Sequence, residues 1–295
     1  MSIDQLIARC TFPAAGTDVT CAVSGGADSL ALIVLAVRAG CRVTAIHVDH
    51  QLRAGSAAEA DIVAVHAAAL GARFERRVVD VGPGPNVEAR ARAARYAVLP
   101  FGVMTGHTAD DQAETIILNL MRGSIGGLSG MRATTERGVQ RPLLNLRRSD
   151  TVAVCAEMGI QPISDPSNAD LSLRRNAVRH RILPLLSEIA DRDIAPILNR
   201  QAAMIRDDTD LLDRLAAAID PTDARALADA PVALARRAIR SWLANPYPPD
   251  AATVERVLDV ARGTSLACQT NDGRRISRSG QKLTASRANE EHNHR

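Results

Sequence analysis

The sequence is poor in aromatic side chains, with one tryptophan, two tyrosines and three phenylalanines in 295 residues, so stacking platforms for single-stranded bases are scarce. Its five cysteines, Cys10, Cys21, Cys41, Cys155 and Cys268, are odd in number and widely spaced. No pair makes the Cys-x-x-Cys unit of zinc or redox sites, and they read as buried or idle thiols. No apolar run reaches the roughly 18 residues of a membrane span, and the N-terminus lacks a basic segment followed by an apolar one. A cytoplasmic protein is therefore expected, with no membrane partner. Gly-x-x-x-x-Gly-Lys-Ser/Thr is missing too, which removes the P-loop NTPase reading for want of its lysine. Lysine itself is nearly absent: of 36 basic residues only Lys282 is not arginine, the better bidentate partner for phosphate. A net charge of +3 does not by itself announce nucleic acid.

What is present suffices for a full core, since 46% of the chain is hydrophobic, and the length suits one large and one small domain. The first half alternates short apolar runs with helical spacing, as a parallel sheet with helices on both faces requires. Expected strands are 19–23, 43–48, 74–79 and 102–106. Expected helices are 30–38, 57–70, 86–99 and 109–121, the last behind Thr108 as N-cap with Asp111 in place of the usual Glu or Gln. The glycine-rich stretch Arg122 to Met131 should leave the helix as a mobile loop and lid candidate. Helical periodicity returns over 173–186 and 197–219. Composition shifts near Asp220-Pro221, which sets the expected domains at 1–219, catalytic with connecting helices, and 220–295. Within the second, helices are expected over 232–243 and 252–262, then a hairpin turning at Asn271-Asp272-Gly273.

The strongest chemical signal is Ser24-Gly25-Gly26-Ala27-Asp28-Ser29, after the first strand and before a helix. Adjacent glycines let the backbone approach an anion, the helix N-terminus points amides at it, and serine hydroxyls add donors. The same residues also suit an ordinary strand-to-helix turn. Downstream, His107, Asp110, Asp111 and Glu114 crowd the carboxyl edge of the sheet, where open α/β folds bind ligands. Asp111 and Glu114 share a helix face and offer hard oxygens that suit magnesium, while Asp110 and Asp111 would equally favour the helix dipole. His47, Asp49 and His50 finish the second strand, with no third ligand evident for a metal. Asn86, Glu88, Arg90 and Arg92 open a helix, where Glu88 and Arg92 could form an i, i+4 surface pair. Arg175 and Arg179 share a face with no acid interleaved, so a bound anion, RNA or ATP phosphate, would relieve their repulsion. Arg274, Arg275, Arg278, Lys282 and Arg287 stand against Asp272 across the hairpin, a patch for sequence-independent phosphate attraction.

Ser-Gly-Gly-x-Asp-Ser resembles the signature of the alpha-hinge ATP pyrophosphatases, the PP-loop superfamily that cleaves ATP to AMP and pyrophosphate. Further segments resemble its tRNA(Ile)-lysidine synthetases: His47 to Arg53 including Leu52, Asn86 to Arg92, Thr105 to Thr115, Arg122 to Met131 with Arg141-Pro142-Leu143-Leu144, Asp165 to Asn168, and Arg175 to His180. The likeness runs from about residue 19 to about 186. It implies a Rossmann-like doubly wound sheet with a small, mainly helical C-terminal domain that ends in a β-hairpin and binds tRNA, the family's short form. It implies ATP and magnesium, with Ser24, Gly25, Gly26, Ala27, Asp28, Ser29, His47, Asp49 and Arg90 binding ATP, and Asp28 with Asp111 holding the metal. It assigns catalysis to Asp28, Asp111, Asp110, His107 and Glu114, and tRNA or substrate contacts to Arg122, Arg175, Asn176, Arg179, Arg274 and Arg275. The implied reaction begins when O2 of the wobble cytidine in the CAU anticodon of isoleucine tRNA attacks the α-phosphate. L-lysine then displaces AMP from C2. A tRNA thiolase on the same fold would need a cysteine pair or persulfide carrier, an amidating relative such as NAD synthetase would not need the basic domain, and a non-catalytic RNA-binding protein would not need the cradle and acids. Oligomeric state stays open, a homodimer included.

Overall fold

The computed structural model describes residues 1–51, 56–82, 84–85, 87–124, 126–163, 166–245 and 247–287, without the side chains of Ser56, Ala57, Glu88, Pro166 and Ser167. Leu52, Arg53, Asn86, Asp165 and the Glu88 side chain, singled out above, lie outside them.

The chain runs α1 (Ile3–Ile7), β1 (Asp18–Ala22), α2 (Ala27–Arg38), β2 (Arg42–Asp49), α3 (Ser56–Ala69), β3 (Arg73–Val78), α4 (Val87–Val98), β4 (Met104–Thr105) and α5 (Ala109–Met121). The four strands form a wholly parallel sheet in the order β3-β2-β1-β4, with Cys21 opposite Ala45 and Met104, and Ala45 opposite Phe74. Side chains alternate across it, as strand geometry requires. Val43 and Ala45 join the core under α2, α3 and α6, whereas Ile46 and Val48 pack with Val79, Leu99 and Val103 beneath α4. Helix α2 is buried without interruption from Leu30 to Ala36, so it fills the centre of its layer and holds its first turn at the carboxyl edge of β1.

Beyond the sheet come α6 (Arg148–Glu157), α7 (Arg174–Ala177), α8 (Leu183–Ile189) and α9 (Ala195–Ala216). Helix α6 is an addition to the expected elements; Thr151, Val154 and Cys155 anchor it against α2. The single helix expected over 173–186 is instead α7, one π-type turn over Val178–Ile182, and α8. Pro184 explains the change of pitch, because it has no N–H to give to the carbonyl one turn back.

Contacts divide the chain into two compact units, Met1–Ala203 and Met204–Arg295, and the division falls within α9. The second unit holds α10 (Ala224–Asp229), α11 (Val232–Trp242), α12 (Ala251–Arg262) and an antiparallel sheet β5-β6-β7 (Ala267–Gln269, Arg274–Ser279, Lys282–Arg287). Its core is separate, built on Leu227, Ile239, Leu243, Leu258, Ile276 and Leu283. The chain turns at Asn271-Asp272-Gly273 as expected, with Gly273 at φ 81, and again at Gly280 at φ 59, which adds a third strand. Among the described residues, no helix is long and apolar enough to cross a membrane.

Candidate active site

At the carboxyl edge of the parallel sheet lies an open cleft of about 940 Å3. Its floor is the turn from β1 into α2. Gly25 takes φ 88, a left-handed conformation, and its carbonyl accepts the Ile163 amide at 2.9 Å. A Cβ there would meet Ile163 Cδ1 at 2.3 Å, so both the backbone angle and the packing require glycine. Gly26 is the N-cap of α2, and the Ser29 hydroxyl donates to its carbonyl at 2.9 Å while accepting the Ser24 amide at 3.2 Å. The Ser29 amide donates to the Gly26 carbonyl at 3.1 Å, whereas the amides of Ala27 and Asp28, two residues that line the cleft, have no intrahelical acceptor. Gly106, after β4, closes the floor: a Cβ on it would lie 2.6 Å from the Asp28 carbonyl oxygen. This is an anion cradle next to a carboxylate.

The carboxylates around Asp28 are knitted together by arginines. Arg148, in the first turn of α6, reaches Asp28 Oδ2 at 3.1 Å, Asp111 Oδ1 at 3.2 Å and Glu114 Oε1 at 3.5 Å. Arg175 meets Asp111 at 2.8 Å and Glu114 at 2.7 Å, and Arg179 meets Glu114 at 2.6 Å. Asp110 is held apart by Arg147 at 2.8 Å and the Arg148 amide at 2.7 Å. Glu114 is 0% exposed, so it survives as a buried anion only through these partners. A bound anion was expected to relieve the repulsion of Arg175 and Arg179, which have no acid interleaved in sequence; α5, distant in sequence, already supplies counter-charge. Asp111 also accepts the Thr108 amide at 2.9 Å and hydroxyl at 3.0 Å, which ties it to the start of α5.

Position within this cluster decides the ionisation of each acid. Burial pushes the Asp28 carboxyl up, against the pull of Arg148 and the hydroxyl donated by Thr151. Burial opposes ionisation of Asp111 as well, but Arg148, Arg175 and the Thr108 amide outweigh it and hold the group low. Asp110 is likewise low, because Arg147 and the Arg148 amide overcome its burial. His107 donates to or accepts from Thr105 Oγ1 at 2.8 Å, and burial among Arg141, Arg175 and Arg92 drives it down to about 3, so it is neutral at physiological pH.

The remaining expected residues divide by position. His47, 4% exposed, makes a 2.9 Å hydrogen bond through Nδ1 with the Val23 carbonyl; Asp49, 2% exposed, binds Arg76 at 2.6 Å; both line the cleft. Ser24, Gly26, Ala27, Asp28, Ser29, His107, Asp111 and Arg179 line it too. Arg90 does not; it closes the preceding loop by donating to the carbonyls of Val81 at 3.3 Å, Gly82 at 3.1 Å and Pro85. Asn176 donates to the Asp170 carbonyl at 3.0 Å, and Arg122 is an exposed C-cap of α5. The described part of the glycine-rich loop makes a 3-10 turn against α5, with Gln112 Nε2 donating to the Met131 carbonyl at 3.0 Å and Asn119 to Gly127 at 2.8 Å. In the second unit Arg275 is exposed, whereas Arg274 donates to the Leu243 carbonyl at 2.6 Å. Sequence reasoning missed Arg147, Arg148, Thr151 and Gly106. The one signal for the first two was an adjacent arginine pair three residues before Asp150 and Thr151.

Residues 2–186 match the family described as the PP-loop domain. The tRNA(Ile)-lysidine synthase of Rhodococcus erythropolis is 44% identical over 239 residues, 76% of this chain and 73% of that one. This chain belongs to the tRNA(Ile)-lysidine synthase family. That of Nocardia farcinica is 44% identical over 78% of this chain and 77% of its own, and that of Mycobacterium tuberculosis 41% over 75% and 73%. Among solved structures, a U34-tRNA thiolase from Methanococcus maripaludis superposes with a TM-score of 0.56 over 69% of this chain and 78% of its own, at 14% identity, a likeness of fold alone. The chain is an ATP-using PP-loop enzyme, and the turn built by Ser24 to Ser29 lies within the matched residues.

Proposed function

We propose that the protein ligates L-lysine to C2 of the wobble cytidine in the CAU anticodon of an isoleucine tRNA, with ATP cleaved to AMP and pyrophosphate. The observation that carries this reading is the 44% identity to lysidine synthases over three quarters of the chain, joined to a cleft in which an anion cradle and paired carboxylates face one another. The cytidine O2 attacks the α-phosphate, the P–O bond to pyrophosphate breaks, and the lysine amine then displaces AMP from C2. Ser24, Gly26, Ala27 and Ser29 would hold the leaving pyrophosphate through amides and hydroxyls, so the contribution of the protein is positioning and charge neutralisation.

Asp28 and Asp111 suit magnesium because their oxygens converge on a single cationic group, the Arg148 fork, at 3.1 and 3.2 Å. Among the described residues no set of three or more acids, histidines or cysteines forms a protein cage, so the site fits an ion that takes two carboxylates and completes its shell with phosphate and water. Bound there, magnesium would neutralise charge on the leaving group. The 1–219 region is read as catalytic and 220–295 as tRNA-binding, with the cytoplasm as the place where such a substrate is met. The thiolase alternative lacks its nucleophile: burial pushes Cys155, beside the cradle, up to about 11, and Cys10 and Cys21 to about 12.

The test is product analysis. AMP and pyrophosphate should form only when tRNA and lysine are both present, with labelled lysine retained on isoleucine tRNA and not on methionine tRNA that shares the anticodon. Turnover without lysine, or equal labelling of both tRNAs, would overturn the assignment.

A further inference from the structure

The two walls of the cleft differ in charge. On one, arginines and acids cancel. On the other, α4 and the segment between the glycine-rich loop and α6 carry three arginines with no carboxylate partner among the described residues. Arg92 and Arg95, one turn apart on α4, hold their guanidinium carbons 5.0 and 5.1 Å from the centroid of the same Tyr96 ring. Cation–π attraction of this kind offsets part of their repulsion but supplies no negative charge. Arg95 lines the cleft, and its Nε is buried without an acceptor. Arg141 is 6% exposed; one terminal nitrogen donates to the Arg132 carbonyl at 2.6 Å, while its Nε also lacks an acceptor. His50 Nδ1 is buried and unpartnered as well.

Buried donors are ordinarily satisfied, and this many orphans in one neighbourhood mark a missing partner. Water could serve one of them, but it would not compensate the charge. Burial depresses Arg95 and Arg141 from the usual guanidinium range, the mark of cations taken out of water without a counter-ion. ATP has its own cradle at Ser24 to Ser29. Arg92 instead is exposed, Arg95 lines the cleft, and Arg92 and the buried Arg141 both act on the charge of His107 in the cleft, a set that suits a strand threading toward the reacting atoms.

We infer that Arg92, Arg95 and Arg141 form a phosphodiester-binding track that draws the RNA strand beside the target nucleotide into the cleft. The inference rests on the reading that the substrate is RNA, and it names the residues that hold its backbone inside the catalytic unit. Such contacts position the strand without reading its sequence.

The test uses the full chain and an RNA hairpin carrying the CAU loop, with affinity measured across a salt series. Arg92→Gln, Arg95→Gln and Arg141→Gln should each lower the salt slope by about one, and an RNA hairpin with an altered loop should lose affinity equally. Arg95→Lys should restore the slope, because it keeps the charge. ATP affinity measured without RNA should match wild type. An unchanged slope in Arg92→Gln and Arg95→Gln would overturn the track, and loss of ATP affinity without RNA would reassign these arginines to the nucleotide. Arg92 is exposed, so its variant tests the idea even where Arg141→Gln fails to fold. If wild type binds the hairpin with the expected slope yet transfers no lysine, the proposed reaction fails and the track stands.

Discussion

Arginines in the two units perform different work. Around the cleft, Arg148, Arg175 and Arg179 converge on Asp28, Asp111 and Glu114, and the charges are compensated inside the protein. In the second unit, Arg274 pairs with Asp272 at 2.6 Å, and Arg274 and Arg278 also give terminal nitrogens to the carbonyls of Leu243 and Ala261, each at 2.6 Å, and so close the ends of α11 and α12. Helix C-termini present unpaired carbonyls and a partial negative charge, so arginine is a natural stopper there. A count of basic residues cannot separate these uses, since both appear in sequence as an excess of arginine. The patch of five basic residues expected on the hairpin therefore shrinks as a free phosphate-binding surface to its exposed members Arg275, Lys282 and Arg287.

The sharpest way to test the contrast is to remove the acid that holds most of the cleft arginines. Glu114→Gln leaves Arg148, Arg175 and Arg179 short of one buried negative charge while preserving shape. Breaking a buried ion network from one side typically costs about 3–5 kcal/mol. Chemical denaturation should show a loss of that order, largest at low salt. A change below about 1 kcal/mol would mean that solvent already screens the cluster and that burial overstates its isolation. Asp111→Ala should also destabilise, because the same carboxylate caps α5; lost AMP formation in that variant would not by itself identify a metal ligand.

The fold was legible in the sequence wherever one period dominated. Strand and helix alternation up to Met121 was readable because short apolar runs such as 43–48 recur between helical patterns, as strands buried on both faces require, and because Thr108 and Asp111 mark the start of α5. Helix α6 was not legible, since its buried positions Thr151, Val154 and Cys155 make only a weak apolar face between charged residues. The candidate cradle could be picked out from Ser-Gly-Gly-x-Asp-Ser between a strand and a helix, together with its family resemblance. Its partners could not: Arg148 lies 120 residues from Asp28, and only the fold brings them to 3.1 Å. Likewise the repulsion expected between Arg175 and Arg179 was real as a local statement, but its relief came from α5.

The pH response should also separate the two regions. His107 is driven down to about 3, below its ordinary value of 6.5, so between those values the unfolded chain binds a proton that the folded chain refuses. Stability therefore falls as pH falls through that window, with a slope of up to about 1.4 kcal/mol per pH unit from this group. His50, also held down by burial and by Arg95, adds in the same direction. Asp110 and Asp111 are low and lose their contribution only as pH drops beneath the usual carboxylate range. Asp28, which burial pushes up, acts in the opposite direction as pH falls, so melting from pH 7 to pH 5 is compared between wild type and His107→Gln, which should flatten the loss. An unchanged slope in that variant would place the proton uptake elsewhere.

The smallest effect is the most selective for the second unit. Arg278→Ala removes three donated hydrogen bonds, to the carbonyls of Ala261 and Gly280 at 2.6 and 2.8 Å and to Gln281 at 3.2 Å, all within one turn and one helix end. Its side chain is only half-buried, so water can replace part of what is lost, and a cost of about 1–2 kcal/mol is expected. Arg275→Ala, exposed on the same strand, should change stability by less than about 0.5 kcal/mol while lowering the salt slope of tRNA binding by about one. The pair thus separates structure from phosphate contact on neighbouring residues of like charge. If Arg275→Ala leaves tRNA binding and its salt dependence untouched, Arg275 does not meet RNA, and the same test passes to exposed Lys282 and Arg287 on the neighbouring strand. If Arg278→Ala instead weakens tRNA binding without loss of stability, its guanidinium faces the nucleic acid, and the division of labour between the two sets of arginines fails.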